Sequence, residues 1–359
     1  MPDIHVSDAK QFLRCRLLWD FTSPLRQNLE PNWPPHQLFI GSAIHYALDA
    51  RYRYGPAAVI PAFADWVTKG VAALAPETQT GPRWEKMLQQ VDTADKVLRH
   101  YNLWAPAADQ DWTWLAGEYT HQCDFPLPEP IRMLAPSEIP TLCEMPRVRY
   151  VMRADGLVEK DGEAWVVEWK TCTTFPDTDE LWRDIQNAMY VMALQYNPPP
   201  ILHGLPVVGT VYTFLRKKAP AEPKTLKDGT LSKAAIDTSA EAYRAYLSYQ
   251  QISPLWYGDI LSALAQGEHN FFRRVWVRRP QASLTYALEN LLAVARDMID
   301  PNVVIYPAPD WFRCRFCSFS IPCILLHNRQ DITPNLRADY KEGTKRPHFA
   351  YHVPEEDET

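Results

Sequence analysis

An Asp161-Gly162 pair, bounded on both sides by β-branched and aromatic residues, is the feature that most constrains this chain. Asp-Gly suits a two-residue turn with positive φ at both centres, so it predicts a hairpin within residues 149–173. Such a loop sets Lys160 against Glu163 and, counting outward, Asp155 against Glu168. Opposed side chains share a face with Cβ atoms about 4.5–5.5 Å apart, and two like charges there are destabilising unless a cation lies between them. Mg2+ or Mn2+, hard ions that prefer oxygen, are the natural occupants. Strand alternation adds Lys170 to this face and turns Trp169 to the other. The set has the parts for phosphodiester hydrolysis: a cation to lower the pKa of a bound water, and an ammonium to position it. Glu-x-Lys strands and Asp-Gly turns also occur on plain protein surfaces, so these residues alone do not define a site.

The rest of the chain reads as one α/β domain over residues 1–328, with a helical portion at about 1–110 and a core at about 111–215. A basic insertion at about 216–240 and a cysteine-bearing segment at about 300–325 complete it. Apolar spacing predicts helices over 9–21, 42–54, 85–104, 179–196, 241–266 and 284–299. The fourth is opened by Asp177 with Glu180 three residues on, a capping-box pattern, and stops before Pro198-Pro199-Pro200. Strands are expected over 112–125, 207–215 and 271–279. The tail at 329–359 is polar, ends Glu-Glu-Asp-Glu-Thr, and is expected to be loosely ordered. At 359 residues and 46% hydrophobic content the chain can bury a substantial core. No run of about 18 apolar residues suggests a membrane span, and the start lacks a basic-then-apolar leader, so a cytoplasmic location is expected. The absence of a GxxxxGK[ST] loop argues against an ATP-driven motor.

A net charge of -6 disfavours nucleic acid only weakly, because clustering matters more than the sum. Six basic residues lie between Arg216 and Lys233, and four Arg without an acid lie between Phe271 and Pro280. Lys217, Lys218, Lys224, Lys227, Arg273 and Arg274 are therefore candidate DNA contacts, with an ordinary solvated surface as the alternative. Seven Cys is an odd number for a disulfide framework in a chain without an export signal. Cys314, Cys317 and Cys323 give three thiols close in sequence, and a tetrahedral metal site or a cubane needs a fourth, for which Cys15 is the candidate. Zinc and iron–sulfur both suit four thiolates, and either would tie the two ends of the chain together. Cys123, Cys143 and Cys172 read as buried small side chains.

The segments Arg153-Ala154-Asp155-Gly156-Leu157 and Val166-Val167-Glu168-Trp169-Lys170-Thr171 resemble motifs II and III of the PD-(D/E)XK nucleases. Gly41-Ser42-Ala43-Ile44-His45 resembles the helical histidine motif of their RecB-like branch, and Gln186-Asn187-Ala188-Met189-Tyr190 its QxxxY motif, in the expected order. Gln186 and Tyr190, four apart, also share a helix face. The resemblance implies a restriction-endonuclease-like fold, a central mixed sheet flanked by helices. It implies that His45 joins Asp155 and Glu168 at the Mg2+ or Mn2+ site, and that Gln186 and Tyr190 orient the lysine strand and the DNA backbone. The split of one early Cys and three late ones is similar to iron–sulfur members, among them CRISPR-adaptation RecB-like exonucleases and AddAB nuclease domains. That implies a 4Fe-4S cluster on Cys15, Cys314, Cys317 and Cys323, joining the N- and C-terminal segments.

By the same resemblance, the activity would be DNA cleavage from single-stranded ends in recombination, replication or DNA processing. A helicase, recombinase or integrase would be a fitting partner. The segment Pro223 to Lys233 looks like one found in phage-encoded members, which would place the protein in a host-cell cytoplasm. Residues at about 56–110 and 216–270 are not accounted for by the resemblance. Two other readings stay open: a non-catalytic DNA-binding or assembly protein that keeps the fold, and a zinc-stapled protein in which the acid pair is incidental. Glu118 fits either a structural salt bridge or a further ligand.

Overall fold

The computed structural model describes residues 1–32, 36–72, 74, 79–127, 147–228, 230–232, 236–266 and 271–343. Its elements begin with β1 (Asp3–Ile4), α1 (Val6–Arg14), α2 (Arg16–Thr22), β2 (Leu29–Pro31), α3 (His36–Tyr54), α4 (Val59–Ala72) and α5 (Gly81–Ala108). The centre of the chain forms β3 (Thr113–Pro126), β4 (Arg147–Lys160), β5 (Glu163–Cys172), α6 (Thr178–Trp182), α7 (Ile185–Tyr196) and β6 (Val207–Arg216). There follow α8 (Ala240–Tyr249), α9 (Gly258–Gln266), β7 (Phe272–Arg278) and α10 (Gln281–Ile299). Last come α11 (Trp311–Cys314), α12 (Ser320–His327), α13 (Thr333–Asp339) and β8 (Tyr340–Glu342).

The predicted hairpin forms in the predicted register. Asp161 and Gly162 both have positive φ, 55° and 78°, as the tight turn demands, and β4 and β5 pair from Lys160↔Glu163 to Gly156↔Val167. β3 runs antiparallel along the far edge of β4, while β1 takes the near edge in parallel at Arg149 and Tyr150. β6 lies parallel to β5, through the α6–α7 crossover, and β7 antiparallel to β6, so the sheet is mixed. One face of the sheet packs on α1, α7 and α10 through Phe12, Met189, Val191, Leu291 and their neighbours. The other packs on α3, α4 and α5 through Ala47, Leu48, Val97, Leu98 and Tyr101. The expected layered α/β architecture is what these two cores produce.

Three helices read as continuous are broken, each for a local reason. The 9–21 helix divides at Cys15, which is extended at φ -166° and ψ 112°. The 179–196 helix divides at Arg183–Asp184; Asp177 precedes α6 without a side-chain cap bond, whereas Asp184 accepts from the Gln186 N–H and caps α7. The 241–266 helix divides at 250–257, where Gln251 is left-handed (φ 57°) and Pro254 starts a short 3-10 turn. The tail also departs from expectation up to residue 343. α13 and β8 fold back, β8 pairs with β2, and Tyr340 stacks on Phe319 with ring centroids 4.5 Å apart. An apolar anchor thus outweighs the polar composition of that stretch. Residues 344–359, Lys233 and Cys143 lie outside the described residues.

Candidate active site

The ladder between β4 and β5 stops one position short of the two carboxylates. Val148, Tyr150, Met152 and Ala154 face the α7 layer, Leu157 stays with them, and Val158 turns to the α3 layer, so the alternation of β4 slips at Asp155–Gly156. In place of a cross-strand pair with Glu168, the Asp155 carboxylate accepts the Trp169 N–H through Oδ2 at 2.7 Å. Gly156 makes the slip possible, because a Cβ there would run into the Trp114 ring. That ring stacks on Tyr52 at 4.5 Å and on Trp169 at 6.0 Å. The aromatic stack therefore fixes the backbone that holds Asp155.

Side chains from both helical layers meet at this gap. From α3, His45 Nδ1 lies 3.0 Å from Asp155 Oδ1, and the His45 ring stands edge-on to Trp169. Glu168, only 4% exposed, pairs with Lys170 on the same face of β5. From α7, Gln186 Nε2 donates to the Tyr190 hydroxyl at 2.9 Å, and Tyr190 is close enough to Glu168 and Asp155 for their charges to raise its pKa, after burial. Glu118 pairs with Arg153 at 2.8 Å, the salt-bridge reading, and its φ of 44° is left-handed. Two neighbours were not singled out in the sequence. Asp184 accepts from Gln186 N, Asn187 Nδ2 and Tyr212 OH, and Lys10 of α1 reaches Asp184 at 3.4 Å and Gln186 at 3.1 Å. Asp184 was hidden because the expected 179–196 helix ran straight through it, and Lys10 carried no signal of its own.

The electrostatics separate the two acids. Burial pushes Glu168 up to about 7, Asp155 adds to the rise, and Lys170 only partly offsets it. Burial also opposes ionised Asp155, but His45 and the Trp169 N–H outweigh it and hold its pKa below the usual value. Burial favours neutral Lys170, yet Glu168 and then Asp155 hold its pKa above normal. His45 behaves likewise: burial lowers its pKa and Asp155 more than restores it. Among the described residues no group of three or more His, Cys, Asp or Glu side chains is set around one point as a metal cage. Asp155 instead faces His45, and Glu168 faces Lys170. The donor chemistry, two carboxylates and an imidazole at a strand gap, fits a hard divalent ion.

The cysteines are brought from both ends of the chain. Cys15, at the break between α1 and α2, accepts the Ala308 N–H at Sγ (3.5 Å), and Cys314 accepts the Asp310 N–H (3.3 Å). Burial raises the Cys323 pKa, and Cys15, Cys317 and Cys314 each raise it further, so these three thiols lie within electrostatic reach of Cys323. Backbone N–H groups thus point at two of the sulfurs, while among the described residues no three of the thiols are set around one point as a metal cage. Cys123 is buried and Cys172 half-buried.

The basic candidates divide. Lys217, Lys224, Lys227 and Arg273 are exposed; Lys218 pairs with Asp237 at 2.5 Å. Lys224 and Lys227 sit on a small turn in which Thr225 bridges Leu231, and Leu231 anchors it on Tyr243, Leu247 and Tyr257. Arg274 leaves the set: its side chain is 7% exposed, bonded to Asp109 at 2.8 Å and stacked 3.8 Å over Trp112. Its donors also go to the Ala108 carbonyl and the Thr213 hydroxyl, so Arg274 is spent inside the fold rather than offered to a ligand.

The sheet is mixed, its paired strands part at Asp155, and the neighbouring strand carries Glu168-Trp169-Lys170. The family model for the PD-(D/E)XK nuclease superfamily matches residues 4–324, and the chain belongs to that superfamily. A comparison with curated proteins found no match. Among the described residues no helix is long and apolar enough to cross a membrane.

Proposed function

We propose that the protein is a Mg2+- or Mn2+-dependent DNA nuclease of the RecB-like branch, acting on single-stranded ends in recombination, replication or DNA processing. The observation that carries this reading is the convergence of Asp155, Glu168 and Lys170 at one strand gap, with His45 arriving from one layer and Gln186–Tyr190 from the other. Asp155, Glu168 and His45 would hold the cation, which when bound supplies Lewis-acid stabilisation and an activated water. Lys170, kept charged by its carboxylate neighbours, offsets the charge that develops on the phosphate and positions the attacking water rather than taking its proton. The Gln186–Tyr190 pair fixes the substrate backbone beside the lysine strand.

Cys15, Cys314, Cys317 and Cys323 would hold a 4Fe-4S cluster as a staple between the chain ends, away from the chemistry. A phage or prophage origin and a helicase, recombinase or integrase partner fit this reading. The test is digestion of end-labelled single- and double-stranded DNA with Mg2+, with Mn2+ and with chelator. The reading predicts metal-dependent loss of the single-stranded end label; no cleavage with either ion would contradict it.

A further inference from the structure

Beside Lys170 the structure has an open pocket of about 500 Å3, lined by Lys10, Lys170, Asp184, Tyr212, Phe214 and Pro176 among others. This volume falls within the range of small-ligand sites, about 300–1,000 Å3. Lys170 enters the pocket from β5 and Lys10 from α1, so two ammonium groups from distant parts of the chain flank one space. Lys10 is half-exposed. Its Nζ carries three donors, of which Gln186 at 3.1 Å and Asp184 at 3.4 Å engage two. The Gln186 N–H (3.1 Å), Asn187 Nδ2 (2.8 Å) and Tyr212 hydroxyl (3.3 Å) also donate to the Asp184 carboxylate, so Lys10 is one of several groups that satisfy it. Phe214 and Pro176 give the same space an apolar wall.

We propose that this pocket is a phosphate subsite, in which Lys10 binds a backbone phosphate next to the one positioned at Lys170 while the apolar wall receives the attached nucleoside. The proposal rests on the nuclease reading and extends it to the neighbouring nucleotide. Lys10 also accounts for the orientation of Gln186, whose amide oxygen faces Lys10 while its nitrogen donates to Tyr190.

The test is binding of a single-stranded oligonucleotide to the full chain over a salt series, with cleavage blocked by chelator. Wild type, Lys10→Gln and Lys10→Arg are compared, together with oligonucleotides carrying one uncharged methylphosphonate at successive positions. One lost phosphate contact lowers the salt slope by about 0.7 for a single strand, so Lys10→Gln should show that loss and Lys10→Arg should recover it. One methylphosphonate position should weaken wild type and leave Lys10→Gln unaffected, while Lys10→Arg, which keeps the charge beside Asp184, keeps the wild-type melting temperature and the wild-type profile. A Lys10→Gln protein with the wild-type slope and the wild-type methylphosphonate profile would overturn the subsite while leaving the nuclease reading intact. Wild type without salt-dependent binding would overturn both.

Discussion

Glu168 is the residue on which pH should act most visibly. Its pKa, raised to about 7 by burial and by Asp155, makes it partly protonated at neutral pH, whereas a cation needs the carboxylate. Metal binding should therefore release a proton and tighten as pH rises from about 6 to 8; titration calorimetry in two buffers of different ionisation heat measures this. The folded pKa lies above the ordinary value of 4.5, so this group's contribution to metal-free stability is fully present below 4.5 and is lost as pH rises through about 7. Glu168→Gln should remove that loss, giving a metal-free protein that melts higher than wild type at pH 8 and similarly at pH 4.5. Equal melting temperatures at pH 8 would show that Glu168 is not destabilised by its surroundings. The Lys160–Glu163 turn and the pairing out to Gly156–Val167 were legible from hairpin arithmetic, whereas the expected Asp155–Glu168 pair gives way to the Trp169 N–H bond to Asp155. Lys10 was not legible, because its role depends on α1 crossing to α7, a contact that no local pattern encodes.

At the scale of elements, what alternation and turn chemistry control was readable, and what tertiary packing controls was not. The 156–160 ladder followed from Asp161-Gly162 alone. The slip at Asp155–Gly156 did not, because it comes from the Trp114 ring lying against a glycine. Helix breaks at Cys15 and Asp184 were likewise hidden, since apolar periodicity continues across both while the backbone turns to present a thiol or a cap. Gly156→Ala tests how far the site depends on that contact. It should cost about 1–3 kcal/mol by overpacking, as Trp114 is forced off the Tyr52–Trp169 stack. It should also lower kcat, because the Trp169 N–H that holds Asp155 moves with the stack. Thermal melting and steady-state cleavage check the two effects; a Gly156→Ala protein of wild-type stability and rate would remove the aromatic stack from the account of the site.

Across the whole molecule, the chain ends are joined at several points. Leu17 N donates to Tyr306 O at 3.1 Å, Asn28 Nδ2 to Gly343 O at 2.8 Å, and the Ala308 N–H to Cys15 Sγ at 3.5 Å. Cys15→Ala should bleach the visible absorbance of anaerobically purified protein and lower its melting temperature, leaving residual cleavage at low temperature; retained iron and unchanged melting would remove Cys15 from the staple. The central claim is that Asp155, Glu168 and Lys170 form one hydrolytic site, and the most direct measurement is single-turnover cleavage of end-labelled DNA by each Ala variant and by the triple variant. Residues acting as a unit lose activity together, so each single change should abolish metal-dependent cleavage about as completely as all three, with folding retained by circular dichroism. A folded single variant that cleaves at the wild-type rate would contradict the claim.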